Sequence, residues 1–193
     1  MSIEPAGVDL DRVRDLCADL AGAADGELLA WAGPGDVGAV AAEVFQVVTD
    51  AGLLADADPR HPVSIPADGD ALMSRMWELD EPAAVELLAR LSDSTRSNRP
   101  RRRRLRRAYQ EDPEDIFAEL ASLFGPGARW WTNTDLTTWN PITQHTFDAI
   151  VVGAGNGLIV TVIAFEGGEL RQPDQWSRDR LMSARYPGSP ADS

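Results

Sequence analysis

Lysine is absent from this sequence, so all 18 of its basic residues are arginine. This absence excludes a Schiff-base lysine, the lysine of a Gly-Lys-Ser/Thr phosphate loop and the lysine of an Asp…Glu-x-Lys nuclease site. A single cysteine, Cys17, excludes a disulfide within the chain, and its place among apolar residues at helical spacing predicts a small buried side chain. Together with abundant Ala, Gly, Asp and Pro, the exclusive use of arginine is typical of a bacterium with a GC-rich genome.

The sequence also lacks the features of a secreted or membrane-spanning protein. The first residues include Glu4, Asp9 and Asp11, without the basic segment and apolar core of a signal peptide. The longest uncharged run, 149–165, contains three glycines and is slightly short for a membrane helix. We therefore expect a soluble cytoplasmic protein with no membrane partner.

Acidic residues are plentiful, and they set the charge of the chain. The formal net charge is −13, which argues against generic binding to nucleic acid or anionic membranes. With 193 residues, 44% of them hydrophobic, the chain can bury one substantial core. We predict a single α+β domain over residues 8–176, followed by a flexible tail over 177–193.

The strongest local signal is the dipeptide Asn156-Gly157 between two runs rich in Val and Ile. A type I′ turn needs positive φ at both central residues, which Asn-Gly adopts at low cost. Both runs are apolar at nearly every position, and this predicts that both faces of the hairpin are covered. We therefore expect the hairpin to be the centre of a small C-terminal antiparallel sheet.

Helical periodicity dominates the chain before the hairpin. Apolar residues recur there at spacings of three and four, and breakers or N-cap residues separate the runs. The predicted helices are 10–20, 36–52, 71–79, 80–91 and 112–124, with a short helical turn over 25–31 and a strand over 129–133. The predicted parts of the domain are a helical part (8–92), an arginine-rich connector (93–110) and a helix plus sheet (111–172). Helices first and strands last indicate an α+β fold, with the N-terminal helical group packed on the sheet.

The segment 148–157 resembles the opening of a dinucleotide-binding Rossmann unit, in which a strand ends in Gly-x-Gly-x-x-Gly and a helix follows. The third glycine of that pattern falls at position 158, where this chain has Leu158. The residues after it are β-branched and apolar, which is poor for a surface helix. We therefore favour the hairpin and expect no cofactor, and a nucleotide-binding glycine turn stays as an alternative.

Eight of the 18 arginines lie between positions 96 and 107. In a functional interpretation, Arg101, Arg102, Arg103 and Arg104 neutralise the phosphates of a nucleic acid or hold an acidic partner. The structural interpretation is a solvated linker, or a helix folded onto the acidic surface of the same chain. An RNA-binding patch needs several aromatic side chains, and only Tyr109 lies nearby.

Aromatic residues gather in one corner of the sequence. Trp130 and Trp131 point to opposite faces if they lie on a strand, so one is expected in the core and the other under a helix or exposed. An exposed tryptophan is a typical interface hot spot, which makes Trp131 and Trp139 candidates for an interaction surface. His145 and Asp148 are an alternative general base and orienting carboxylate, although residues three apart on a strand face opposite sides.

Acidic residues follow the arginine run at Glu111, Asp112, Glu114 and Asp115, as either a solvated face or a surface for a basic partner. No motif specifies an enzyme or a metal site. We therefore predict a non-catalytic acidic binding protein, such as an inhibitor or immunity-type partner of a basic protein. The alternatives are a nucleic-acid-associated regulator that uses the arginine run, and an enzyme with a site at His145 and Asp148 or at the glycine turn.

Overall fold

A computed structural model of the chain describes residues 7–23, 28–54, 64–97, 113–143 and 147–166. These residues form helices and strands that alternate irregularly along the chain. The helices are α1 Gly7–Ala23, α2 Val40–Asp50, α3 Gly69–Met73, α4 Glu81–Ser97 and α5 Pro113–Leu123, and one 3₁₀ turn spans Val37–Ala39. The strands are β1 Leu28–Pro34, β2 Trp77–Leu79, β3 Arg129–Thr132, β4 Phe147–Gly155 and β5 Leu158–Glu166.

All five strands belong to one antiparallel sheet in the order β1-β5-β4-β3-β2. The hairpin of β4 and β5 lies at its centre, and its two strands are paired from end to end. Asn156 has φ of 50° and Gly157 has φ of 74°, the positive values that a type I′ turn requires. The predicted α+β class and the hairpin-centred sheet are therefore confirmed.

Helices cover both faces of this sheet. Successive residues of a strand point to opposite sides, so Val151 and Val160 enter the core under α1, α4 and α5, whereas Ile150 and Ile159 enter the core under α2 and α3. All four side chains are fully buried. Two separate apolar cores explain why the strands are hydrophobic at nearly every position, as the sequence predicted.

Most helix boundaries follow the local signals. The side-chain oxygen of Asp68 accepts a 2.8 Å hydrogen bond from the backbone N–H of Ala71 at the start of α3. Asp80 does the same for the N–H of Ala83 at 2.9 Å. Gly125 follows α5 with φ of 73°, the left-handed conformation that commonly ends a helix.

The region around Trp31 corrects one local prediction. Residues 25–31 were expected to form a short helical turn, but Leu28–Pro34 is a strand at one edge of the sheet. This segment pairs with β5 along its whole length, from Leu28 opposite Ala164 onward. The backbone bonds and the burial of Trp31 outweigh the weak helical preference of so short a segment.

The predicted helix over 71–79 is the second correction. Helix α3 ends at Met73, and Trp77–Leu79 is instead the other edge strand of the sheet. Trp77 pairs with Thr132, and Leu79 pairs with Trp130. The spacing of the apolar residues fits a helix and a short strand equally well, so pairing with β3 decided between them.

The glycines of the nucleotide-like segment have a packing role. Residues 158–166 are a strand and not a helix, so the helix N-terminus of a pyrophosphate site is not formed there. A Cβ atom at Gly153 would overlap the ring of Trp130, and one at Gly155 would overlap the carbonyl oxygen of Phe124. Gly153 therefore leaves room for the Trp130 ring of the adjacent strand β3, and Gly155 lets the end of α5 lie directly on the sheet.

Cys17 is buried in the core under α1, as predicted, and burial raises the pKa of its thiol to about 12. Helix α4 extends to Ser97, so the first residues of the predicted connector are helical. The remainder of the arginine run and the predicted tail lie outside the described residues. Among the residues described, no helix has the length and apolarity needed to cross a membrane.

Candidate functional site

The segment of residues 133–143, called here the 133–143 loop, contains Asp135 and Trp139. Asp148 lies beneath this loop. Strand β3 leads into the loop from Arg129, opposite Ala154, to Thr132, opposite Val151. The loop therefore lies at the end of β3 that points away from the Asn156-Gly157 turn.

A buried carboxylate holds this loop to the sheet. Asp148 lies on β4 and is fully buried. Its Oδ1 accepts hydrogen bonds from Asn133 Nδ2 at 2.6 Å and Trp139 Nε1 at 3.2 Å. Its Oδ2 accepts from the backbone N–H groups of Ile142, at 3.1 Å, and Thr143. These donors occupy the acceptor sites of the carboxylate, which makes Asp148 an anchor for the loop.

Asn133 extends the pairing of β3 and β4 by means of its side chain. Its Oδ1 accepts a 2.7 Å hydrogen bond from the backbone N–H of Ile150, and its Nδ2 also donates to the carbonyl of Asn140 at 3.0 Å. The residue is fully buried. The two ends of the loop are therefore joined to each other and to β4.

The tip of the loop is closed by short polar side chains. Asp135 Oδ1 accepts three hydrogen bonds, from the N–H of Thr137 at 2.8 Å, the hydroxyl of Thr137 at 2.7 Å and the N–H of Thr138 at 2.5 Å. Thr134 Oγ1 accepts from the N–H of Leu136 and donates to the carbonyl of Thr138, both at 3.0 Å. These are Asx and ST turns that fix the backbone locally.

The same bonds change the acidity of Asp135. The hydrogen bond from the backbone of Thr138, followed by those from Thr137, holds the pKa of the Asp135 carboxyl below its usual range. Because the folded pKa lies below that of the unfolded chain, this stabilisation is fully present above about pH 4 and is lost as the pH falls through the folded pKa. At neutral pH the loop tip therefore carries a negative charge.

Leu136 is the unusual residue of the tip. Its φ is 71°, in the left-handed region, where a side chain of this size is an outlier. That conformation costs roughly 1–2 kcal/mol for a residue other than glycine. Leu136 is nevertheless 40% exposed, so it lacks the full burial of a core leucine. Strain of this kind clusters at functional sites.

The base of the loop contacts the turn between α3 and β2. The Arg75 guanidinium donates to the carbonyl of Pro141 at 2.7 Å and to Ser64 Oγ at 3.0 Å. In return, Asn140 Nδ2 donates to the carbonyl of Arg75 at 3.2 Å. The 133–143 loop is thus continuous with the layer formed by α2 and α3.

Trp131 lies under a surface ion pair. It is 9% exposed, and the Arg129 Cζ atom is 5.0 Å from the centroid of its ring. Arg129 donates to both carboxylate oxygens of Glu78, at 2.8 and 2.7 Å. These bonds lower the pKa of Glu78 and raise that of Arg129. Trp130 is buried on the opposite face of the sheet, with its ring 5.5 Å from that of Phe124.

The remaining site residues that the sequence predicted are placed as follows. Trp139 is half-buried in the loop, and Asp115 is exposed on α5, across the sheet from it. Glu114 belongs to α5. Outside the described residues lie Arg101, Arg102, Arg103, Arg104, Glu111, Asp112 and His145. The structure brings Trp139 and Asp148 together and separates both from Asp115.

The sequence analysis did not single out Leu136, Thr134 or Asn133. The available signal was the segment 133–138, Asn-Thr-Asp-Leu-Thr-Thr, because closely spaced Asn, Asp and Thr favour Asx and ST turns. Within the described ranges, no group of three His, Cys, Asp or Glu side chains is arranged to hold a metal ion. Comparisons with protein-family models, curated proteins and solved structures found no match to this chain.

Proposed function

We propose that this protein is a non-catalytic binding protein whose partner is a basic protein, in the manner of an inhibitor or an immunity protein. The observation that carries the proposal is the excess of acidic residues on the helical face of α2 and α3, which adjoins the 133–143 loop. The role of Asp148 also supports it, since this carboxylate is occupied in holding the 133–143 loop.

On the face formed by α1, α4 and α5, arginines are paired with carboxylates. The N···O distances of these pairs range from 2.6 to 3.7 Å. The pairs are Arg12–Glu119, Arg14–Asp11 and Arg90–Glu86. Helices α1, α4 and α5 contain ten acidic residues and four arginines, so these ion pairs neutralise only part of the negative charge on this face.

The face formed by α2 and α3, called here the acidic face, also has an excess of acidic residues, and it adjoins the 133–143 loop. Residues 36–54 and 64–76 contain five acidic residues and a single basic one, Arg75. The acidic residues are Asp36, Glu43, Asp50, Asp68 and Asp70. Arg75 directs its donors to neutral oxygens of Pro141 and Ser64. The acidic face therefore keeps a net negative charge next to the 133–143 loop.

A surface of this kind suits a cationic protein. Complementary charge speeds the encounter of two proteins and disfavours partners of the wrong sign. Inhibitors of enzymes that act on anionic substrates need such a surface, since the active sites of those enzymes are cationic. The half-buried apolar side chains Phe45, Met73 and Met76 pack at the edge of the core beneath the acidic face.

The test begins with the tagged chain expressed in its native host. We expect a stoichiometric protein partner of high pI, whose association rate falls steeply between about 0.05 and 0.5 M NaCl, because salt screens exposed charges. Repeated isolation without a basic partner, or with a partner whose association rate is insensitive to salt, contradicts the proposal.

Two double variants then localise the contact. Asp50→Asn with Asp70→Asn removes two charges from the acidic face, and Asp15→Asn with Asp19→Asn removes two from exposed positions of α1. Net charge changes equally in both, so a general effect of charge predicts equal results. We expect the first pair to slow association by about tenfold and the second by less than about threefold. Equal slowing refutes the assignment to the acidic face.

A further inference from the structure

Two large hydrophobic side chains stand out as exposed among the described residues, Leu136 and Val37. They are 40% and 38% exposed, respectively. Val37 lies in the 3₁₀ turn that follows Gly35, whose N–H donates to the carbonyl of Gly157. It is therefore near the hairpin turn, at the end of the sheet opposite the 133–143 loop. Of these two exposed hydrophobic residues, Leu136 is the one with a left-handed backbone.

The identity of residue 136 conflicts with its backbone. Glycine adopts a φ of 71° without cost, and asparagine tolerates it far better than leucine does. At 40% exposure, Leu136 gains less from burial than a leucine of the core does. A residue type that is unfavourable for its backbone conformation is expected at positions where function requires that side chain.

The loop holds Leu136 in a defined position before any partner arrives. Its tip is closed by the hydrogen bonds of Thr134 and Asp135, and its base is anchored on Asp148. A side chain presented by a loop that is already ordered loses little conformational entropy on binding. Apolar anchors of this type, inserted into a pocket, carry much of the energy of protein interfaces.

The carboxylate of Asp135, the residue before Leu136, indicates the charge expected at the rim of such a pocket. All three hydrogen bonds to the Asp135 side chain end on Oδ1. Within the described part of the chain, its Oδ2 accepts no hydrogen bond. Asp135 is exposed and charged at neutral pH, so Oδ2 can meet an arginine or lysine at the rim of a pocket.

We infer that the 133–143 loop is a preformed anchor that inserts Leu136 into an apolar pocket of a basic protein partner, with Asp135 facing a cationic group at the rim of that pocket. The inference rests on the proposed function, because it takes the partner to be basic. It adds the residue that enters the partner and the chemistry of the pocket that receives it. It also explains why a buried carboxylate is used to hold a surface loop.

Site-specific cross-linking tests the contact in the native host. The photoreactive residue p-benzoylphenylalanine replaces Leu136 in one strain and Val37 in the matched control. We expect illumination to link position 136 to one basic protein and to give no such product from position 37. Products of equal yield from both positions, or a product of position 136 with a second copy of this chain, overturn the inference.

Substitution of Leu136 tests the energetic role, with the basic protein cross-linked from position 136 as the probe. Leu136→Asn relieves the backbone, so the variant should melt no lower than the wild type and up to about 2–4 °C higher. Its affinity for the probe should fall by about tenfold or more. The control Val37→Thr should change the affinity by less than about twofold.

The outcomes separate the two proposals. If a basic partner binds in a salt-dependent way but Leu136→Asn binds it as tightly as the wild type, the anchor is refuted and the proposed function stands. If no basic protein is found in complex or in cross-links, both are refuted. If Leu136→Asn melts well below the wild type and position 136 forms no cross-link, Leu136 is a structural residue.

Discussion

At the scale of single residues, Asp148 illustrates how burial decides what a carboxylate does. A carboxylate three residues from a histidine, as Asp148 is from His145, was an alternative candidate for the partner that orients a general base. In the fold, Asp148 is fully buried and bound by Asn133, Trp139 and the backbone of Ile142 and Thr143. The donors around it, which no local pattern specifies, make it the anchor of the loop.

The substitution Asp148→Asn tests this anchoring role. The amide places an NH₂ group where one oxygen accepts hydrogen bonds, so at least one buried donor loses its partner. We expect the free energy of unfolding in urea to fall by about 2–3 kcal/mol. Asp115→Asn, an identical change at an exposed position of α5, should stay within about 0.5 kcal/mol of the wild type. Equal losses in the two variants argue against the anchor.

Single residues also differ in how far a sequence pattern can predict their role. Trp139 and Asp148 were predicted as candidate site residues because polar and aromatic residues cluster in this part of the sequence. Leu136 was not, because hydrophobic periodicity carries no information about the sign of φ. Its importance follows from a positive φ and an exposed side chain, and both arise from hydrogen bonds within the folded loop.

At the scale of elements, the close contact of α5 with the hairpin depends on glycine. Gly155 faces the carbonyl oxygen of Phe124, an atom of the backbone that cannot rotate away. Asn156 Nδ2 also donates to the carbonyl of Leu123 at 3.0 Å. The last turn of α5 is therefore fixed directly on the hairpin.

The substitution Gly155→Ala tests that contact. The added methyl group would overlap the Phe124 carbonyl and push α5 from the sheet, which should lower the free energy of unfolding by about 1–3 kcal/mol or more. Gly127→Ala is the matched control, since a Cβ atom there meets nothing within 4 Å. It should be neutral or stabilising by up to about 1 kcal/mol, because alanine restricts the unfolded chain. A neutral Gly155→Ala variant would disprove the close packing.

At the scale of the whole molecule, excess negative charge opposes compaction. The formal net charge of −13 already counts every arginine, so an excess of carboxylates remains even where arginines form ion pairs. Exposed pairs such as Arg129–Glu78 contribute little to stability individually. Repulsion among carboxylates should therefore be the larger electrostatic effect on the fold.

Salt should accordingly stabilise the protein. Raising NaCl from about 0.05 to 0.5 M shortens the screening length from above 10 Å to a few ångströms, and we expect the urea midpoint to rise. A series with sucrose at equal osmolality separates screening from general exclusion of solute from the surface. A midpoint that falls with NaCl would mean that attractive ion pairs dominate over the net charge.

The sequence by itself determined the central hairpin, the α+β class and the burial on both faces, because Asn156-Gly157 and the flanking Val and Ile runs have one low-energy solution. It also determined the helix start at Asp80, since capping is a local hydrogen bond. Only the tertiary structure decided that residues 28–34 and 77–79 are edge strands. The conformation of a short apolar segment depends on whether a neighbouring strand is available to pair with it. The tertiary structure likewise decided the bonds to Asp148 and the exposure of Leu136, which depend on atoms that meet only after the chain has folded.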